Sequence, residues 1–186
     1  MHATRRQFLA TTATLAAMPA LPAFARGQAA APGDAAAEAL LSAAGEQLLE
    51  NTPEGATSLG IDKAQRAHLR SKLEDRSIAG KARVADGLRK RVAELKALDP
   101  KSLSPVMRTN VDSVRTSFEI GLDGMAFPYG DVAVGGWRNS PYVVVQNVGG
   151  YLDIPRFLDT EHKVDTAADA TGWLARFDQY ASLLDG

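Results

Sequence analysis

Apolar residues recur along much of this chain at spacings of three and four, the period of a helix with one buried face. Over residues 35–50, Ala37, Leu41, Ala44 and Leu48 follow that spacing, with Leu40 and Leu49 alongside. Asp34 stands where an N-cap would accept hydrogen bonds from the unpaired amides of the first turn. Thr52, Pro53, Glu54 and Gly55 interrupt the pattern, and residues 56–61 read as a packed turn or a helical end. The charged run 62–76 reads as a helix turning Ala67 and Leu69 inward. The clearest helix spans residues 78–98, where Val84, Leu88, Val92, Leu95 and Leu98 form one stripe and the charges lie largely elsewhere. Asp99-Pro100 ends it, because the proline ring disfavours helical geometry at the residue before it. Ser104-Pro105 starts the next, with serine as cap and proline at the first helical position, where its missing amide costs nothing. Met107, Val111, Val114, Phe118 and Leu122 carry the stripe onward. Two such helices joined by a short break predict an antiparallel pair with facing apolar seams.

Residues 121–136 are rich in glycine and hold Phe127, Pro128 and Tyr129, which predicts an ordered but irregular loop. Tyr142, Val143, Val144 and Val145 are β-prone, yet so short an apolar run does not separate a strand from a buried helical turn. Over residues 167–184, Ala170, Trp173, Leu174, Phe177, Tyr180, Ala181 and Leu184 mark one helical face. Thr166 and Asp169 precede it in a capping-box-like arrangement. The fold class is therefore mainly α: an antiparallel helical bundle segment with an irregular Gly-rich loop and at most one short strand.

The first 25 residues follow a different logic. A charged head with Arg5 and Arg6 leads into a short apolar, threonine-containing stretch broken by Pro19, and then Ala23-Phe24-Ala25. The stretch is too short for the roughly 20 apolar residues of a membrane-spanning helix, so no stable membrane span is expected. The small residues Ala23 and Ala25 suit a signal peptidase pocket, which places the cut after Ala25. Arg5, Arg6, Phe8 and Leu9 resemble the twin-arginine export motif, which a receptor reads as an address. The expected organisation is a signal at 1–25, a flexible linker at 26–34 and one helical unit at 35–186. The expected partners are the twin-arginine (Tat) export machinery and signal peptidase, and the expected location is periplasmic or secreted.

Composition narrows the chemistry. The formal charge is −1 over 186 residues, and no basic patch of nucleic-acid type is visible. There is no cysteine, so disulfides and thiol nucleophiles are excluded. Processing would leave only His68 and His162, neither with a second histidine at helical spacing, so no resident metal or cofactor is expected in this chain. The His-Glu-x-x-His helix, the Gly-x-Ser-x-Gly elbow and the glycine-rich phosphate loops are absent.

Three clusters remain. Glu161-His162, near Asp159 and Asp165, could serve acid–base chemistry, but a solvated loop with Asp165 helping to cap the following helix is the favoured reading. Arg156 could hold a carboxylate in a bidentate fork or form a surface ion pair around a buried Phe157 and Leu158. Tyr129 and Trp137-Arg138 could line a sugar or peptide cleft or pin loops onto a core.

Residues 142–151, holding Tyr142, Gln146, Gly149 and Tyr151, are followed by Ile154-Pro155-Arg156-Phe157-Leu158-Asp159 and then His162. Together with Gly172-Trp173-Leu174-Ala175-Arg176, the opening stretch 53–62 and the segment 73–80, they resemble the bacterial domain-of-unknown-function family numbered 885. The resemblance runs from about Leu40 to the end. It implies a longer, largely helical, zincin-like protein whose downstream part carries a zinc motif and looks like a metallopeptidase. This chain would then be the amino-terminal part of a zinc-dependent peptidase or hydrolase, shaping a peptide cleft without being catalytic alone. Zinc would be expected only in a full-length relative, and a peptide substrate would be met through the carboxy-terminal part. Tyr142, Gln146, Tyr151, Arg156 and His162 are the cleft candidates. A free-standing periplasmic helical binding or interaction module is the alternative.

Overall fold

The computed structural model describes residues 30–134 and 141–185. The export signal with Arg5, Arg6, Phe8, Leu9, Ala23 and Ala25, the first residues of the linker, and Trp137-Arg138 lie outside them. The fold is mainly helical, and among the described residues no helix is long and apolar enough to cross a membrane.

The first half is a three-helix packet. Helix α1 spans Asp34–Asn51, α3 Ile78–Lys96 and α4 Pro105–Met125. Ser77 caps α3, its Oγ accepting from the Gly80 amide at 3.0 Å. Ser104 caps α4 in the same way through the Met107 amide at 3.3 Å. The apolar stripes meet in two adjoining layers, one of Ala37, Leu95, Leu103 and Val111 and one of Ala44, Leu88, Val92 and Phe118. Alanines on α1 let the larger side chains of α3 and α4 fill the seam.

Gly33, not Asp34, is the N-cap of α1. Asp34 is already helical, and its carboxylate accepts from the Ala31 amide at 2.9 Å and the Ser104 amide at 2.9 Å. The side chain expected to cap one helix instead ties the beginnings of α1 and α4 together. Those backbone bonds, that from Ser104 above all, hold its carboxyl below the usual aspartate range.

Helix α4 runs five residues, 121–125, into the stretch expected to be a glycine loop, because Gly121 and Gly124 are used for close approach. A Cβ on Gly121 would lie 2.7 Å from Val134 Cγ2, and one on Gly124 would lie 2.8 Å from Val132 Cγ1. The chain after Met125 thereby folds back and seats both valines against the helix.

The second half packs α2 (Pro53–Ser58), a 3-10 helix (Ala64–Ser71), α5 (Gly150–Thr160) and α6 (Ala167–Asp185). Leu73, Ile154, Phe157 and Leu158 form its core, with Trp173, Tyr180 and Leu183 packed against them. The charged run expected to be an α-helix is a 3-10 helix ending at Ser71, with Leu69 buried and Ala67 exposed. The reason is tertiary: the carbonyls of Leu69, Ser71 and Lys72 accept side-chain donors from α6 at 3.0, 2.8 and 2.8 Å.

Helix α5 contains Pro155, which hides it from pattern reading because proline removes an interior amide. The carbonyl four residues back, that of Tyr151, receives the Tyr180 hydroxyl at 3.2 Å instead. The β-prone run forms no strand; Val145 and Val148 exchange a single antiparallel bridge.

Thr166 and Asp169 form the expected capping box, the Asp169 carboxylate accepting from the Thr166 amide at 2.9 Å and Thr166 Oγ1 from the Asp169 amide at 3.2 Å. The inward face of α6, however, is rotated from the expected one. Trp173, Arg176, Tyr180 and Leu183 turn inward, while Leu174 and Phe177 are 57% and 53% exposed. Trp173 stacks on Phe177 with ring centroids 5.4 Å apart and donates its indole N–H to the Leu158 carbonyl at 3.0 Å.

Leu88→Ala, at a fully buried position, is expected to lower unfolding stability by about 3 kcal/mol. Ile120→Ala, exposed on the neighbouring helix, should change it by less than about 0.5 kcal/mol; urea denaturation midpoints of the two variants check the contrast.

Candidate functional site

Arg176 is fully buried at the centre of the second half. Its Nε donates to the Lys72 carbonyl at 2.8 Å, Nη1 to His162 Nδ1 at 2.8 Å, and Nη2 to Thr57 Oγ1 at 2.8 Å and the Leu69 carbonyl at 3.0 Å. The guanidinium carbon lies 4.9 Å from the Phe157 ring centroid, within cation–π range. Among the described residues, no carboxylate is hydrogen-bonded to Arg176 directly. Thr57 relays its charge, accepting from Nη2 and donating its hydroxyl to buried Asp62 Oδ2 at 2.9 Å. Arg70 closes the circuit, donating to Asp62 at 2.8 Å, to Asp169 at 2.7 Å and to the Lys163 carbonyl at 2.9 Å. Burial draws the Arg176 pKa down to about 10, which leaves it cationic at neutral pH.

This hub fixes the state of His162. Nδ1 faces an N–H donor, so it must present its lone pair; Nε2 then carries the proton and faces the Asp169 carbonyl at 3.2 Å. Burial first, and the charge of Arg176 second, hold the ring below its ordinary pKa of 6.5. His162 is thus neither in a solvated loop nor beside a working carboxylate. It is 3% exposed, Asp159 and Asp165 lie on the surface, and Asp165 donates its amide to Asp169 Oδ2 at 3.2 Å. A neutral imidazole held between a cation and a carbonyl braces the α5–α6 connection.

The concave surface lies beside the hub. A groove of about 600 Å³ runs between α2, the 74–76 segment, the 147–149 turn and α5. Arg156 stands on its wall and, among the described residues, its side chain makes no ion pair; its carbonyl accepts from Thr160 Oγ1 at 2.8 Å. Opposite it, burial pushes the Glu74 carboxyl above the usual range. Arg76, paired with it at 3.1 Å, opposes that shift, whereas nearby Glu54 and Asp131 reinforce it. Glu54 also accepts the Glu74 amide at 3.0 Å.

The sequence candidates therefore separate. Arg156 faces the groove and His162 belongs to the hub. Tyr151 holds the adjoining turn, its hydroxyl lying 3.0 Å from the Val145 carbonyl and 2.6 Å from that of Gln146. Gln146 and Tyr142 are exposed on that turn and do not line the groove. Pattern reading missed Arg176, Thr57, Asp62 and Glu74. The one available signal was Arg176 itself, a charge on the same helical face as Trp173 and Tyr180.

A mainly helical unit, with a buried arginine hub bracing a charged groove, is the class that these features define. The family model described as a bacterial protein of unknown function (DUF885) matches residues 53–186, and the chain belongs to that family. No curated protein and no solved structure matches the chain. The matched span holds every hub residue, from Thr57 through His162 to Arg176.

Arg176→Ala should cost about 3–5 kcal/mol, since it strands the Lys72 and Leu69 carbonyls and leaves Asp62 less well compensated. Arg176→Lys should recover only part of that loss, because an ammonium lacks the planar fork; denaturant titration of both variants measures it. The His162 pKa is lower folded than unfolded, so unfolding takes up a proton below about pH 6.5. Its stabilisation is complete above that pH and declines as pH falls through 6.5 toward the folded value. Unfolding free energy should fall more steeply between pH 7 and 5.5 than in His162→Gln, by at most about 1.4 kcal/mol per pH unit. Comparing the two proteins cancels the opposite contribution of Glu74.

Proposed function

We propose that this chain is the exported amino-terminal part of a zinc-dependent peptidase or related hydrolase with a larger, zincin-like helical fold. In this reading it walls one side of the substrate cleft and is not catalytic alone. The observation that carries it is the groove beside the hub: an open concavity with Arg156 on one wall and the Glu54–Glu74–Arg76 cluster on another. A groove of that size and polarity suits an extended, hydrogen-bonding substrate such as a peptide. The hub supports the reading by holding the walls rigidly, as positioning of a substrate requires.

The residues described here do not fit a zinc site. Among them no group of three or more His, Cys, Asp or Glu side chains is placed to hold a metal. The reading therefore takes the zinc ligands from the carboxy-terminal part implied by the family resemblance, and derives no chemical step from this chain.

Export rests on Arg5 and Arg6. Fused to a reporter, residues 1–25 should direct it to the periplasm through the twin-arginine route, and replacing both arginines by lysine should stop it. Hydrolysis is tested by reading the coding sequence beyond Gly186 for His-Glu-x-x-His-like spacing and expressing the extended product. Zinc-dependent cleavage of an internally quenched peptide by the extended protein, abolished by chelator and absent from the 186-residue chain, is the expected outcome. An uninterrupted stop with no such frame would sink the peptidase reading.

A further inference from the structure

A separate pocket of about 450 Å³ lies between α5, the 162–164 connection and α6, and it shares no lining residue with the charged groove. Pro155, Leu158 and Val164 give it an apolar surface, and Trp173, Phe177 and Tyr180, on successive turns of α6, line it with aromatic rings. Its volume falls in the range of small-ligand pockets. Phe177 is half exposed and its ring plane lies 9° from that of Trp173, so the two stacked rings form one open aromatic shelf.

The neutral polar side chains of this lining are already engaged. Trp173 donates its indole N–H to the Leu158 carbonyl, the Tyr180 hydroxyl donates to the Tyr151 carbonyl, and His162 faces Arg176 through Nδ1 and the Asp169 carbonyl through Nε2. A sugar or a peptide backbone, which binds through neutral hydrogen bonds, finds no free side-chain partner among them. Two charges remain. Asp159 and Lys163 both line the pocket, both are exposed, and among the described residues neither side chain is ion-paired, with the other or with any third group. A simple carboxylate would satisfy Lys163 but meet Asp159, and a simple ammonium would do the reverse; a zwitterion answers both. The rings decide which cation it carries. A primary ammonium brings three N–H donors to a wall whose one free carboxylate is Asp159, whereas a quaternary ammonium brings none. Its methyl groups lie instead on aromatic faces, which attract a cation within about 6 Å of the ring centroid.

We propose that this pocket binds a small quaternary ammonium zwitterion free in solution, its cation held between the Trp173–Phe177 shelf and Asp159 and its anion held by Lys163. Glycine betaine is a minimal ligand of this class. The site goes beyond the cleft reading and does not depend on it.

The probe is glycine betaine, titrated into the 186-residue chain and followed by amide chemical shifts. Saturable shifts in α5 and α6 are expected, with a dissociation constant of about 1 mM or tighter. The comparison is 3,3-dimethylbutyrate, which keeps the shape and the carboxylate but has carbon in place of the charged nitrogen; it should bind at least about five-fold more weakly. Phe177→Ala removes part of the shelf from an exposed position, so the fold should survive, as circular dichroism would verify, and betaine should then bind about five-fold more weakly. Asp159→Asn should weaken betaine several-fold and leave 3,3-dimethylbutyrate as tight or tighter, whereas Lys163→Gln should weaken both. Absence of saturable binding, or undiminished binding to folded Phe177→Ala, would overturn the site. Equal affinity for betaine and 3,3-dimethylbutyrate would overturn the cation assignment, and undiminished betaine binding to Lys163→Gln would overturn the zwitterion. Co-sedimentation with phosphatidylcholine vesicles in the absence of betaine binding would overturn the assignment to a free solute.

Discussion

A guanidinium removed from water needs partners for its N–H groups and compensation for its charge, and Arg176 obtains both from segments far apart in the chain. Backbone carbonyls at Leu69 and Lys72, the Thr57 hydroxyl and the His162 ring surround it, and Asp62 balances it through Thr57. Because the partners come from α2, the 3-10 segment and the α5–α6 connection, none of those elements can shift without exposing or orphaning part of the network. The 3-10 geometry of Ala64–Ser71, the buried setting of His162 and the orientation of α6 are consequences of the same requirement.

The hub and the groove are mechanically continuous. Phe157 lies under the Arg176 guanidinium and also lines the groove, so the packing that shields the cation sets one groove wall. The other wall depends on the three-helix packet, where Gly121 and Gly124 let Val134 and Val132 approach α4. That close approach shapes an apolar cavity adjoining the groove at Glu74 and Asp131. A rigid arginine-centred brace on one side and a helix-backed loop on the other leave a concavity with an apolar end and a charged end. The family to which the chain belongs carries no assigned activity in its description, so the chemistry of these walls, rather than kinship, is what supports a peptide-like ligand.

Much of the first half was legible along the chain. The stripes on α3 and α4, the Ser104-Pro105 start and the capping box of α6 all follow from local rules, because caps and amphipathic faces are decided within a few residues. The misreadings share one cause. Asp34 reads as a cap, but its carboxylate is claimed by Ser104, seventy residues away. Helix α5 goes unread along the chain because it contains Pro155, yet Tyr180 supplies a donor for the carbonyl that proline leaves unpaired. His162 reads as solvated among acids, but Arg176 reaches it from the next helix.

Sequence alone determined the helical class, the placement of the principal apolar stripes and the resemblance to the family, since periodicity and motif order are properties of contiguous residues. Tertiary structure decided which polar residues are buried, which face of α6 turns inward, and which residues share a cavity. Those outcomes depend on where distant carbonyls, hydroxyls and charges meet. A fully buried arginine is stable only once its partners are in place, and no local pattern records them.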